Sequence, residues 1–266
     1  MSESRRRLAV VTGASSGIGA ALARALSRRG EAVLAVARRA DRLEALSAEA
    51  LEAGQAPIHV LALDLAADGA PQAMAAAARR LGVPSLLVNN AGFGAYGPFE
   101  AADPARLAAM VRLNCEALVL CTHALLPDLK AAGTAAVLNV ASAAAFQPTP
   151  YMSAYGATKA FVLSFTEALD EELQGSGVRA LAFCPGPVTT EFGEVAGAGD
   201  RFEKAPGRLT AEEAADAAVQ QLVDRQAVLV PGPLLRVTAT LAQVLPRALV
   251  RRAATQVLKP GGGERK

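Results

Sequence analysis

The sequence is poor in residues that build metal and disulfide sites. Three cysteines (Cys115, Cys121 and Cys184) and two histidines (His59 and His123) are spread through 266 residues without CxxC spacing. This argues against structural zinc and against a disulfide framework, so no metal is expected. The thiols are expected to be reduced and packed, as in a cytoplasmic protein. Excess charge of one sign is also missing. Lys and Arg number 27 against 25 Asp and Glu, a formal +2, too little for a broad nucleic-acid face. The basic clusters Arg5-Arg6-Arg7 and Arg251, Arg252, Lys259, Arg265 and Lys266 read as solvated termini. Long hydrophobic runs are absent as well: no stretch of about 18 apolar, uncharged residues occurs, and no spanning helix is expected. Arg5-Arg6-Arg7 before Leu8-Ala-Val-Val11 imitates an export signal, but the apolar run is too short for one and reads as a buried strand.

What the chain does have is apolar content, 52% of residues, ample for a full core. Apolar strands at 8–11, 32–37, 58–63, 85–88, 135–140, 178–183 and 228–230 alternate with helical patterns. The helices run from Ile18 to a closing Gly30, then over 41–53, 70–81, 104–130, 153–173 and 210–224. A C-terminal helical extension covers 234–258, interrupted at Pro246, and the tail from Gly261 is expected to fray. Strands apolar on both faces, alternating with helices, imply an α/β fold: a doubly wound parallel sheet with helices on both faces. One catalytic domain over 1–266 is expected, with an aperiodic loop at 186–208.

Two constellations carry chemistry. Thr12-Gly13-Ala-Ser15-Ser16-Gly17-Ile18-Gly19 follows strand one and opens a helix. Glycines let the backbone turn sharply against a ligand, and free N–H groups at the helix start suit a pyrophosphate. Strand two ends in Val36-Ala37-Arg38-Arg39, with no carboxylate for a free ribose hydroxyl. Guanidiniums there select a 2′-phosphate, so NADP(H) is expected over NAD(H), with Arg38 preferred to Arg39. Asp64, after strand three, could accept from an adenine amino group or serve a turn.

The second constellation is Tyr155 and Lys159, four residues apart and so on one helix face, with Ser142 thirteen residues before Tyr155. A phenol near pKa 10 is too weakly acidic for proton exchange at neutral pH, and an adjacent cation lowers that value. Tyr151 has Tyr155 rather than a lysine four residues on, and reads as pocket-shaping.

These motifs, together with Asn89-Asn90-Ala91-Gly92, Asn114 and Pro185-Gly186 followed by Thr190, resemble the short-chain dehydrogenase/reductase family, in its order across residues 12–190. The resemblance implies a Rossmann-type fold of about seven strands and hydride transfer between nicotinamide and a carbonyl or alcohol. It implies Tyr155 as general acid/base, Lys159 on the nicotinamide ribose and Ser142 positioning the carbonyl, with Asn114 holding a water. It places Asn90, Ala91 and Gly92 on the cofactor side, Val188 and Thr190 at the carboxamide, and Asp64 at the adenine. A homodimer or homotetramer paired through the helices of Asn114 and Lys159 is implied. Ala141 and Ala144 depart from the family's frequent serine and glycine.

Phe93, Tyr96, Phe99, Phe146, Met152, Phe192, Val195 and Phe202 suggest an apolar ketone or 3-oxoacyl substrate. Arg201 and Lys204 read as solvated, or as facing an acidic group. The competing functions are a non-catalytic NADP(H) sensor or scaffold and a membrane-associated acyl-chain reductase using 234–258. The first has no need of a proton-transfer group.

Overall fold

The structure is a computed structural model that describes residues 6–202, 205 and 207–260. Lys204 and the tail from Gly261 lie outside the described residues. Seven parallel strands form one sheet in the order β3-β2-β1-β4-β5-β6-β9. They are β1 (Arg7–Thr12), β2 (Ala32–Ala37), β3 (Ile58–Ala62), β4 (Val83–Asn89), β5 (Ala135–Val140), β6 (Val178–Phe183) and β9 (Val228–Leu229). The order reverses between β1 and β4, which opens a crevice at the carboxyl ends of these two strands. Strands β2 and β5 are buried along their whole length, as a sheet covered on both faces requires.

On one face lie α1 (Gly17–Arg28), α2 (Ala40–Glu52) and α8 (Ala211–Asp224). Alanines at 21, 25, 214, 215 and 218 let α1 and α8 approach closely over Val11, Val33 and Leu181. The other face carries α3 (Ala70–Leu81), α5 (Leu118–Ala131) and α6 (Ser153–Glu172). Helix starts follow local chemistry. Asp103 accepts from Ala105 N at 3.0 Å before Pro104 opens α4 (Pro104–Val111). Thr210 and Glu213 form a reciprocal capping box on α8.

Two expectations change here. The helix expected over 104–130 is not uniform: residues Arg112–Ala117 form a π-helical segment between α4 and α5. The composite, Pro104–Ala131, is also long and apolar enough to cross a bilayer by length and composition. Its apolar residues Ala117, Cys121, Leu125 and Leu129 instead pack on the sheet core. The loop at 186–208 contains β7 (Val188–Thr189), a single turn α7 (Phe192–Val195) and a 3₁₀ turn at Gly199–Arg201. Strand β7 pairs with β8 (Leu209–Thr210); elements of two to four residues are too short to show a period.

The C-terminal extension resolves into α9 (Pro233–Val244) and α10 (Arg247–Leu258), broken at Pro246 as expected. Leu235 of α9 closes on Gly186, where a Cβ would overlap it. The C-terminal end of α10 is tied to the substrate side. Tyr96 donates to Leu258 O at 2.8 Å, and Arg201 donates to Val257 O (3.1 Å) and Lys259 O (3.0 Å). Arg201 therefore caps a helix end and is neither simply solvated nor free to meet an acidic ligand.

Candidate active site

The glycine turn is stapled to the end of β4. Thr12 Oγ1 donates to Val88 O and accepts from Asn90 N (2.9 Å) and Ala91 N (3.0 Å). Asn90 Nδ2 returns a bond to Thr12 O at 2.9 Å. Gly13 has φ +67°, and a Cβ there would lie 2.8 Å from Ala91 Cα. A Cβ on Gly19 would overlap Asn90 and Gly13, and Thr190 lies against Gly17. This is a cradle that side chains would fill, with α1 beginning beside it, and it fits a dinucleotide pyrophosphate. Ser16 flanks α1 but makes no side-chain cap bond; its hydroxyl instead accepts from Arg39 Nη2 at 2.8 Å. Arg39 also reaches Ser15 Oγ at 3.1 Å. Arg38 and Arg39 are both exposed, and of the two it is Arg39 that hydrogen-bonds to the glycine turn. Exposed Asp64 accepts from Ala66 N at 3.0 Å, the local turn bond of its alternative reading.

The proton-transfer residues meet at the end of β5. Ser142 follows that strand, and its Oγ accepts from Ala144 N at 3.1 Å. Pro185 O accepts from Ala143 N at 2.8 Å, which brings the turn of Pro185 and Gly186 beside it. Tyr155, in the first turn of α6, is 8% exposed. Lys159, one turn on, places Nζ 5.8 Å from the Tyr155 ring centre and donates to Val140 O at 2.7 Å.

The electrostatics depart from the sequence expectation. Burial pushes the Tyr155 phenol up to about 12, with the Ser142 hydroxyl pulling the other way. Burial also lowers Lys159 from 10.5 to about 8, opposed by Cys115 and Cys184. Desolvation outweighs the expected help from the cation because Lys159 aims at a carbonyl, not at the phenol oxygen.

Asn114 sits in the π-helical segment. Its amide is fully engaged: Oδ1 accepts from Phe93 N, and Nδ2 donates to Phe93 O (3.0 Å) and Thr158 Oγ1 (3.1 Å). The side chain braces the segment after β4 to α6. A Cβ on Gly92 would press within 2.8 Å of Asn114 Oδ1.

Behind these residues lies a polar ladder in which only Asn89 belongs to a motif singled out in the sequence. Asn89 Nδ2 donates to Thr122 Oγ1 and Asn139 Oδ1, both at 2.9 Å, and Asn139 Nδ2 donates to Thr166 Oγ1 at 2.8 Å. All four residues are buried. The two threonines anchor on Leu118 O and Val162 O. The ladder runs from α5 through β4 and β5 to α6, and so sets the two helices that carry the site. Asparagines inside otherwise apolar strands are its one trace in the sequence.

Phe93, Tyr96, Met152, Phe192 and Phe202 gather around Tyr155 with Met110. Phe146 packs under α9 instead, while Phe99 and Val195 point outward. Tyr151 has φ +64° and its carbonyl accepts from Gly97 N at 2.8 Å, so it shapes the loop through its backbone.

Known proteins resemble this chain in sequence and fold. A family profile described as short chain dehydrogenase matches residues 7–201. Sulfoacetaldehyde reductase of Chromohalobacter salexigens is 38% identical over 215 residues, 77% of this chain and 84% of that protein. A short-chain dehydrogenase from Sphingobium yanoikuyae, solved in complex with NADPH, superposes with a TM-score of 0.80 at 31% identity, covering 98% of each chain. The bulky-bulky ketone specific alcohol dehydrogenase from Comamonas testosteroni superposes with a TM-score of 0.76 at 26% identity, covering 97% of this chain and 96% of that one.

Proposed function

The chain belongs to the short chain dehydrogenase family, and within it we propose an NADP(H)-dependent reductase of apolar ketones or 3-oxoacyl compounds, with Tyr155 as general acid/base. The coarser statement is established by kinship: it is an oxidoreductase acting on CH–OH or C=O groups with NAD(P). The observation that carries the finer reading is the meeting of Ser142, Tyr155 and Lys159 at the end of β5, under an apolar cluster.

Gly13, Ser15, Ser16, Gly17, Ile18 and Gly19 would hold the pyrophosphate, and Arg39, with Arg38 nearby, the 2′-phosphate. Asp64 would border the adenine. Asn90, Ala91 and Gly92 would line the nicotinamide side, with Lys159 at the ribose. Pro185, Gly186, Val188 and Thr190 would close the carboxamide end. A nicotinamide bound there supplies or takes the hydride. The protein's own part is to manage charge on the substrate oxygen. Ser142 and Tyr155 hydroxyls donate to that oxygen as negative charge grows, and Tyr155 passes its proton to it. Burial favours the protonated phenol, the state from which a carbonyl reduction starts. Lys159, near 8, can exchange protons at neutral pH and lies beside the Tyr155 ring. The aromatic cluster over Tyr155 supports an apolar substrate and excludes water.

For assembly, we assign α5 and α6 to pairing with a second copy. Leu120 and Phe161 are exposed there, and Phe161 stacks on Phe165 at 6.1 Å. The test of the chemistry is Tyr155→Phe, assayed by NADPH absorbance against a ketone panel and by NADPH binding. Turnover should fall at least about a hundredfold with binding retained; undiminished turnover would remove Tyr155 from the mechanism.

A further inference from the structure

The proposed chemistry has no use for a carboxylate at position 191, yet Glu191 is firmly engaged. It follows Thr190, directly precedes α7, and crosses to the junction of β2 and α2. Its Oε2 accepts from Arg39 Nη1 at 3.0 Å, and Oε1 accepts from Arg42. The same Arg39 donates to Ser15 Oγ and Ser16 Oγ on the glycine turn. One guanidinium thus joins the phosphate turn to the loop that carries Phe192. Two guanidiniums gripping a carboxylate present the donor set that also suits a phosphate monoester. The Glu191 side chain is 38% exposed, so a competing anion can replace it without opening the core.

We propose that Glu191 is a cofactor-discriminating latch: it occupies Arg39 and Arg42 until the 2′-phosphate of NADP(H) displaces it and frees the 190–192 segment. This rests on the reading of the site as NADP(H)-binding. The next residue gives the exchange its consequence. The Phe192 ring lies 5.2 Å from Tyr155 and 6.0 Å from Phe202, so the segment tethered by Glu191 is the one that covers the phenol. A cofactor lacking the 2′-phosphate leaves Glu191 in place and Phe192 held down. Glu191 therefore tunes the choice between NADP(H) and NAD(H), although it lies 152 residues from Arg39 and 149 from Arg42 in sequence.

The test combines binding with a structural readout. NADP+ and NAD+ affinities are measured for the parent, Glu191→Gln, Glu191→Ala and Arg39→Ala. Amide hydrogen exchange at 190–196 is followed with adenosine 2′,5′-bisphosphate or AMP as the probe. Both Glu191 variants should bind NADP+ roughly fivefold more tightly, the scale of a partly exposed ion pair, with NAD+ affinity unchanged. The bisphosphate, but not AMP, should speed exchange at 190–196, and Glu191→Ala should exchange fast without any probe. Arg39→Ala should lose the preference for NADP+. If Arg39→Ala loses that preference while neither Glu191 variant alters it, the latch is overturned and the cofactor reading stands. If Arg39→Ala leaves the preference unchanged, both fall. Unaltered exchange at 190–196 with the bisphosphate also overturns the latch.

Discussion

Replacing Lys159 with methionine separates what the ammonium costs the fold from what it does for chemistry. Lys159 is 7% exposed and its pKa falls from 10.5 to about 8, chiefly through burial. At about 1.4 kcal/mol per pH step, that fall disfavours the folded, charged form by about 3 kcal/mol at pH 7. Methionine fills similar space without the charge, but strips Val140 O of the donor at 2.7 Å, a loss of about 1 kcal/mol. The cofactor-free variant should therefore be more stable than the parent by about 2 kcal/mol at pH 7, and inactive. Between pH 8 and 10.5 the unfolded chain holds the lysine proton more often than the folded one, so the parent gains stability as pH rises. The variant has no such gain, and its advantage should shrink by about 2 kcal/mol between pH 7 and 9.5, about 4–8 °C in melting temperature. Burial also raises all three cysteines, so both proteins lose stability above about pH 9, and the difference between them largely removes that common drift. The assay is thermal unfolding of both proteins in parallel across this range. A gap that stays constant with pH would refute the claim that the ammonium is desolvated.

Gly13→Ala should cost at least about 1–2 kcal/mol from its left-handed backbone alone. With the added Cβ pressed on Ala91, cofactor affinity should also fall, which calorimetric titration would show. Asp170 accepts from Arg179 twice at 2.7 Å and from Ala180 N at 2.9 Å. Burial raises its pKa, but these bonds and the charge of Arg179 hold it below 3.8 overall. Its contribution is thus present above about pH 4 and lost as pH falls further. Asp170→Asn should melt earlier at pH 6 by about 1–3 kcal/mol, with the gap closing toward pH 3; an equal gap at both pH values would remove this carboxylate from the acid response.

The sheet was legible because β5 and β6 are short apolar runs bounded by turn residues and buried on both sides. Their observed limits, Ala135–Val140 and Val178–Phe183, coincide with the expected ones. The one-turn spacing of Tyr155 and Lys159 was legible for the same reason: a helix fixes it locally. What escaped is set by distance or by backbone register. The π segment at Asn114 has no compositional signature, since it differs from an α-helix only in its hydrogen-bond register. The Glu191 contact with Arg39 joins residues whose proximity only the closed fold creates. The bonds of Arg39, which directly precedes α2, to Ser15 and Ser16 likewise join residues that only the fold brings together. The burial that raises the Tyr155 phenol in the cofactor-free chain comes from residues remote in sequence, Met110 and Phe192 among them, and so has no local signature.

The grip of Tyr96 and Arg201 on the last carbonyls of α10 means the mouth of the site is braced from behind by the last helix among the described residues. Each residue added to or removed from that helix would move the brace by about 1.5 Å, while the hydroxyls at the end of β5 stay where the sheet puts them. Substrate preference can therefore drift through the C-terminal segment alone, with the reaction itself left untouched.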